Sequence, residues 1–87
     1  MRHHILKTWP EPFEAVICGI KKFEYRRNDR DYQAGDILHL REYLPAEASY
    51  TERRATVRVT YILSVGFGLP DGYVIMSFRL LYIETEA

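Results

Sequence analysis

The sequence predicts a mainly β fold with one or two short helices, in which a strongly bent sheet closes into a small β-barrel. Alternating apolar and polar residues mark several strand candidates, and one segment alone has apolar residues at helical spacing. Closure is the usual way for a short, strand-rich chain to hide its sheet edges. The 87 residues suffice for one hydrophobic core, so we expect residues 1–87 to form a single domain.

The first half of the chain contains two strand candidates separated by a helix. A strand is expected near residues 2–8 and another near 21–27. The helix is expected near 10–18, because prolines suit a first turn, acidic residues suit the positive end of the helix dipole, and apolar residues follow at helical spacing. The polar stretch at 28–36 has turn-forming residues at both ends and is interpreted as a loop.

The second half of the chain contains three more strand candidates. They are expected near residues 36–43, 53–64 and 73–82. The segments between them, at 44–50 and at the glycine-rich 66–72, are interpreted as loops. Together with the first half, this pattern gives five strands and one helix.

The strand at 53–64 shows the clearest alternation. One face is apolar and is expected in the core: Ala55, Val57, Val59, Tyr61 and Leu63. The other face is expected to be wet and consists of Arg54, Arg58 and Thr60. The basic concentration of Arg53, Arg54 and Arg58 is interpreted as a solvated strand face. Across the whole chain, the residues predicted to be buried are Phe13, Val16, Ile17, Leu38, Leu40, Val57, Val59, Val74 and Met76.

The composition is that of an ordinary folded protein without a general attraction for nucleic acid. Hydrophobic residues make up 47% of the chain and charged residues 28%, which is too apolar for a disordered segment. The formal net charge is zero, so counterion release over the whole surface cannot hold a nucleic acid. Binding of an anion is therefore expected to be local.

Two features bear on the cellular compartment. The single cysteine, Cys18, excludes an intramolecular disulfide and fits a reducing environment. No long apolar run follows the first residues, so neither a signal peptide nor a membrane span is expected. We expect a cytoplasmic protein without a membrane partner, either a monomer or a weak dimer.

The most informative string is Gly-x-Lys-x-x-Glu-x-Arg at residues 19–26. The glycine suits the left-handed residue that ends a helix, which places the lysine at the start of the next strand. In that strand Glu24 and Arg26 share one face, and Phe23 and Tyr25 share the other. We expect the aromatic face to pack and the polar face to form part of a site.

This string, followed by Gly35-Asp36 at the start of a strand, resembles the signature of ASCH domains in the PUA-like superfamily. A longer pattern is similar to an ASCH-related family of small bacterial and phage proteins of unknown function. That pattern covers most of the chain and consists of His4-x-Leu6-Lys7, Phe13-x-x-Val16-x-x-Gly19, Phe23-Glu24-x-Arg26-x-Asn28-Asp29-Arg30-Asp31-Tyr32 and Gly35-Asp36. The resemblance implies a PUA-like (ASCH-type) barrel with a cleft beside the motif, in a superfamily that commonly binds RNA or modified nucleosides.

The resemblance and the residue types together predict an RNA- or nucleotide-binding module, whose ligand is single-stranded RNA, a nucleotide or a modified nucleoside. Residues 21–30 hold five basic and two acidic side chains, a local concentration of positive charge beside the expected cleft. The motif cations would contact anionic or carbonyl groups, the glutamate would accept from a base amino group, and an aromatic ring would stack on a base. The predicted ligand-binding residues are Lys21, Glu24, Arg26, Trp9, Arg30 and Tyr32.

Two other functions stay open. Certain ASCH proteins are amidohydrolases that act on acetylated cytidine, and the resemblance would carry their catalytic lysine onto Lys21. Those enzymes have a threonine where this chain has Glu24. A protein-interaction role, such as that of a phage factor acting on a host protein, is the third hypothesis.

Metal and cofactor chemistry is not expected. His3 and His4 project to opposite faces of a strand, and His39 lies far along the chain. The three histidines therefore lack the spacing of zinc ligands.

Overall fold

The computed structural model describes residues 1–85 as one curled sheet with one short helix. In chain order the elements are β1 (His3–Thr8), α1 (Pro10–Ile17), β2 (Phe23–Arg27), β3 (Ile37–Leu44), β4 (Ser49–Leu63) and β5 (Tyr73–Glu84). The predicted strands and helix are all present, so the mainly β prediction is confirmed. Within residues 1–85, no helix has the length and apolar character needed to cross a membrane.

The sheet is a half-barrel with the strand order β1-β3-β4-β5-β2. β1 runs parallel to β3, and the other neighbouring pairs are antiparallel. A parallel pair needs a long connection, which the chain from α1 to the loop after β2 provides. The order leaves β1 and β2 as the two edges, so the sheet curls but stops short of the closure that the sequence predicts.

One face of the sheet and α1 enclose the hydrophobic core. The predicted burial is confirmed for Phe13, Val16, Leu38, Leu40, Val57, Val59, Val74 and Met76. Ile17, the last residue of α1, is only partly buried and packs at the margin of this cluster. The apolar pattern of the sequence therefore identifies the core well.

β3 and β4 form a longer hairpin than the sequence predicts. β4 begins at Ser49, inside the expected loop at 44–50, and Tyr43 pairs with Tyr50 across the two strands. The two tyrosine rings meet edge to face with their centroids 5.0 Å apart, a cross-strand contact that stabilises hairpins. This pairing extends both strands towards the turn, which local turn signals do not reveal.

β4 changes face partway along its length. Its register against β5 shifts between Thr56 and Val57 and again between Val59 and Tyr61. An extra residue in one strand moves the following side chains to the opposite face. Tyr61 is consequently 65% exposed, and its predicted place in the core is wrong.

Arg53 bridges the helix and the sheet, which corrects its interpretation as a solvated residue. Its guanidinium donates to Glu42 of β3 at 2.8 and 2.9 Å and to Glu14 of α1 at 2.7 Å. The hydrogen bond to Glu42, followed by that to Glu14, raises the pKa of Arg53. The same bond from Arg53, against the opposing effect of burial, lowers the pKa of Glu42. The three side chains thus fasten α1 to the sheet.

Asp36, directly before β3, fixes the start of the chain to the sheet. Its buried carboxylate accepts hydrogen bonds from His4 Nε2 at 2.9 Å and from the backbone N–H groups of Gln33 and Arg2 at 3.0 and 3.1 Å. Burial raises the pKa of Asp36, but these hydrogen bonds, led by that of His4, outweigh it and hold the pKa below its usual value. The ionised carboxylate is therefore the form that the fold prefers.

We expect Asp36→Asn to lower the free energy of unfolding by about 1–3 kcal/mol, because a neutral amide satisfies the buried donors poorly. With a depressed pKa, the carboxylate stabilises the fold above its unfolded-state pKa, and this stabilisation is lost as the pH falls through the lower folded-state value. Urea unfolding at a series of pH values should show a loss of wild-type stability below about pH 4 that is flatter in the variant.

Asp71→Asn is the matched control, since Asp71 is exposed in the loop before β5. It should leave both the stability at neutral pH and the acid dependence close to those of the wild-type protein. An equal acid dependence in Asp36→Asn and the wild-type chain would contradict the role given to this carboxylate.

Candidate functional site

The turn between α1 and β2 positions the predicted motif. α1 ends at Ile17, and Gly19 takes a left-handed φ of 81°, as the sequence predicts. The backbone N–H groups of Ile20 and Lys21 both donate to the carbonyl of Ala15 at 3.0 Å. Lys21 is therefore held against the end of the helix, just before β2 begins.

Glu24 is buried between two cations. Its Oε1 accepts from Lys21 Nζ at 2.8 Å, and its Oε2 accepts from Arg26 Nε at 2.7 Å. Lys21 Nζ also donates to the carbonyl of Phe23 at 2.7 Å. A buried carboxylate is stable only when it is paired, and here one carboxylate fixes both cations of the motif.

The prediction that the aromatic face of β2 packs is wrong. Glu24 is 3% exposed, whereas its neighbours Phe23 and Tyr25 are 46% and 47% exposed. The prediction relied on the general tendency of aromatic side chains to pack and of charged ones to face water. In this strand the two cations offset the cost of burying the carboxylate, and the aromatic rings are turned outwards.

β2 presents a free backbone edge. The carbonyl of Lys22 accepts from the N–H of Phe78, so the even-numbered residues of this strand form the bonded pairs with β5. The N–H and C=O groups of Phe23 and Tyr25 therefore point away from β5. The contact from Lys21 Nζ to the Phe23 carbonyl agrees with this direction.

Two arginines cross the gap between β2 and the other edge strand, β1. Arg26 donates from Nη2 to the carbonyl of Lys7 at 2.8 Å. Arg30, in the loop after β2, donates from Nη1 to the carbonyl of Ile5 at 2.9 Å. Unpaired carbonyls on an edge strand otherwise face water or another chain. The guanidinium groups thus cover the β1 edge and hold the two edges near each other without closing the barrel.

A cavity of about 540 Å³ lies beside this gap, within the roughly 300–1,000 Å³ that is typical of small-molecule sites. It is lined by Lys7, Thr8, Trp9, Pro12, Lys21, Phe23, Glu24, Tyr25, Arg26, Arg27 and Tyr73. Four of these residues are cations and one is acidic. In a chain of zero formal net charge, this lining is a local excess of positive charge. We refer to this space below as the central cavity.

Thr8 brings an unsatisfied hydroxyl group to the central cavity. The residue is 3% exposed, and within residues 1–85 its Oγ1 is the one buried side-chain nitrogen or oxygen without a hydrogen-bond partner. Leaving a buried hydroxyl unpaired costs roughly 1–3 kcal/mol, so such an atom needs an explanation. Thr8 is a lining residue of the central cavity, so this unpaired hydroxyl lies in the cavity wall.

The predicted ligand-binding residues divide into two groups. Those that line the central cavity are Lys21, Glu24, Arg26 and Trp9, whose side chain is 58% exposed. Arg30 and Tyr32 line a neighbouring cavity of about 220 Å³. Tyr32 is 4% exposed, and its ring meets His4 edge-on at 4.9 Å between centroids. Burial raises the pKa of the Tyr32 phenol, and the ring belongs to the core rather than to the central cavity.

Several lining residues are not among those that the sequence predicts. Lys7 and Thr8 approach the motif from β1, across the gap. Tyr73, at the start of β5, stacks on Tyr25 with 5.4 Å between the ring centroids. Local alternation shows that a segment is a strand but not which strand lies beside it. The alternation of the sequence therefore does not identify these neighbours as residues of the site.

His3 and His39 meet outside the central cavity, because β1 and β3 run side by side. Their rings stack with centroids 5.1 Å apart, and His3 Nδ1 lies 2.9 Å from His39 Nε2. Burial, followed by the positive charge of Arg54, lowers the pKa of His39. The sequence interpretation separated these two histidines by their distance along the chain, and the parallel strand pair corrects it.

Comparison with known proteins places the chain in a family. Residues 3–78 match the family described as Domain of unknown function (DUF3850), and the chain belongs to this family. The chain is also 33% identical over 73 residues to a protein of Escherichia phage P2 described as "Uncharacterized 12.9 kDa protein in GpA 3'region". That alignment covers 84% of this chain and 64% of the phage protein, so the chain spans less than two thirds of its relative.

We expect Glu24→Gln to lower the free energy of unfolding by about 2–3 kcal/mol, because Lys21 and Arg26 would then face each other without a counter-charge. The expected loss of stability is smaller than for a fully buried ion pair, because the side chains of Lys21 and Arg26 are 19% and 26% exposed. Urea unfolding of the purified variant measures the change. Glu47→Gln, in the exposed turn between β3 and β4, is the matched control. Equal stability of the two variants would show that Glu24 does not organise the motif.

Proposed function

We propose that this member of the DUF3850 family binds single-stranded RNA or a nucleotide in the central cavity. The observation that carries the proposal is the lining of that cavity, where four cations lie beside exposed aromatic side chains in a chain without net charge. Attraction to phosphate and stacking on bases are the two general contributions to the binding of single-stranded nucleic acid. The lining of the central cavity contains side chains suited to both contributions.

The phosphate contacts come from cations on both sides of the gap. Lys7 on β1 and Arg27 on β2 are exposed and line the cavity from opposite edges. Lys21 and Arg26 already donate to Glu24 and to backbone carbonyls, so they present their remaining N–H groups from fixed positions. A phosphate in the cavity would therefore meet two exposed cations and two cations that Glu24 holds in place.

The base contacts come from Trp9 and from the polar groups near it. The exposed indole offers a stacking surface, and the free edge of β2 offers the N–H and C=O groups of Tyr25. The unpartnered hydroxyl of Thr8 can donate or accept. Both carboxylate oxygens of Glu24 already hold a cation, so in this proposal Glu24 organises the site and does not read a base amino group.

The finer fold relationship, to the PUA-like (ASCH-type) domains, is part of the same proposal. Gly19 and Gly35 occupy the motif positions of the ASCH-like pattern, and both have positive φ, 81° and 94°. The curled sheet carries a cavity of about 540 Å³ beside the Lys-x-x-Glu-x-Arg string. A barrel-like sheet with a cleft at this motif is what the resemblance implies.

Trp9 is the single tryptophan of the chain, so its fluorescence reports on the central cavity. We expect short single-stranded RNA to quench this fluorescence saturably, because a stacked base covers the indole. The Lys7→Ala/Arg27→Ala double variant should bind about tenfold more weakly, since two phosphate contacts are lost.

The control for this experiment is Arg54→Ala/Arg58→Ala, which removes the same charge from residues outside the central cavity. It should bind like the wild-type protein. Quenching that does not saturate, or an equal loss of affinity in both double variants, would contradict binding at the central cavity.

The rival function, hydrolysis of an acylated nucleoside, is tested with the same protein. We expect no release of the acyl group from acetylated cytidine, because Lys21 Nζ is engaged with Glu24 and with the Phe23 carbonyl. Acyl release that disappears in Lys21→Ala would replace the binding proposal with the enzymatic one.

A further inference from the structure

Three cavities of the structure share residues and follow one another along β2. The central cavity shares Lys21 with a cavity of about 350 Å³ at the exit of α1. On its other side it shares Arg26 and Arg27 with the cavity of about 220 Å³ that Arg30 lines. We call these three spaces together the basic groove.

The basic groove collects most of the positive charge of the protein. To the four cations of the central cavity, the cavity at the exit of α1 adds Lys22 and Arg79, and the third cavity adds Arg30. Among the described lining residues, the acidic ones are Glu24 and Asp29. The whole chain has 12 Lys and Arg residues against 12 Asp and Glu residues, so more than half of its cations line the basic groove.

We infer that the ligand is a single strand of nucleic acid at least about three nucleotides long, which occupies all three cavities, and not a lone nucleotide. This inference rests on the proposed function. A mononucleotide carries its charge at one point, whereas the cations are distributed along the whole groove. A strand carries a phosphate and a base in each nucleotide, and each of the three cavities is lined by at least three cations.

The cavity at the exit of α1 supplies the best evidence for an additional nucleotide subsite. Its apolar wall consists of Val16, Phe78 and Leu80. Lys22 and Arg79 line the same space, and both are exposed. Within the described part of the chain, neither of these two cations takes part in an ion pair. Their charge is therefore available to a phosphate, while the apolar wall can meet the face of a base.

The cations at the opposite end of the groove have structural duties as well. Arg26 and Arg30 hold the β1 edge through the carbonyls of Lys7 and Ile5. Substituting them would disturb the fold together with any binding. Lys22 and Arg79 are consequently the residues that test the longer ligand cleanly.

The experiment measures Trp9 fluorescence during titration with uridylates and adenylates of one, two, three and six nucleotides. Affinity should rise at least about tenfold from one nucleotide to three and then level off. Lys22→Ala/Arg79→Ala should bind the hexanucleotides about tenfold more weakly and reduce the slope of log affinity against log salt by about 1.4, because two phosphate contacts are lost. The same variant should bind the mononucleotides like the wild-type protein.

Arg54→Ala, which removes a charge outside the basic groove, should change none of these values. Equal affinity for mononucleotides and hexanucleotides, or an unchanged hexanucleotide affinity in Lys22→Ala/Arg79→Ala, would overturn the inference and leave nucleotide binding in the central cavity intact. Failure of every nucleotide and oligonucleotide to bind would overturn both. Displacement of the hexanucleotide by equimolar polyglutamate would overturn the inference in favour of an acidic peptide partner.

Discussion

The buried carboxylate of Glu24 is the interaction on which the candidate site depends. It fixes Lys21 at the exit of α1 and Arg26 on β2, and Arg26 also donates a hydrogen bond to the carbonyl of Lys7 on β1. One side chain thereby connects the three elements that surround the central cavity. Because a buried charge is tolerated only with its partners in place, the three ionisable groups form as a unit.

This ion cluster lies where the strand order leaves two sheet edges without a neighbouring strand. β1 and β2 are both edge strands, and exposed strand edges favour unwanted pairing with other chains. The chain covers the β1 edge with guanidinium groups and does not pair the two strands directly. The central cavity lies beside the gap that remains, and Arg26, one of the two arginines that cross the gap, brings positive charge to the cavity wall. The arginine that covers the strand edge thus also contributes positive charge to the proposed binding site.

The local part of this structure could be predicted from the sequence, and the long-range part could not. Alternation and helical spacing identify every strand and α1, together with most of the core. Strand neighbours leave no local trace, so the contact between His3 and His39 emerges only from the parallel pairing of β1 and β3. Burial predicted from residue type alone was also wrong at two positions. Glu24 faces inwards because two cations offset its burial, and Tyr61 faces outwards because a register shift turns β4.

The central claim, that the gap between β1 and β2 is a binding surface for nucleic acid, is tested most directly by mapping backbone amide shifts. The ¹⁵N-labelled protein would be titrated with a single-stranded RNA hexanucleotide and followed by two-dimensional NMR. We predict that the largest changes fall on residues 7–9, on Lys21, on residues 23–27 and on Tyr73, which line the central cavity. Residues of β4 around Arg54 and Arg58 should show changes close to zero. Largest changes on β4, or no changes at a large excess of RNA, would contradict the claim.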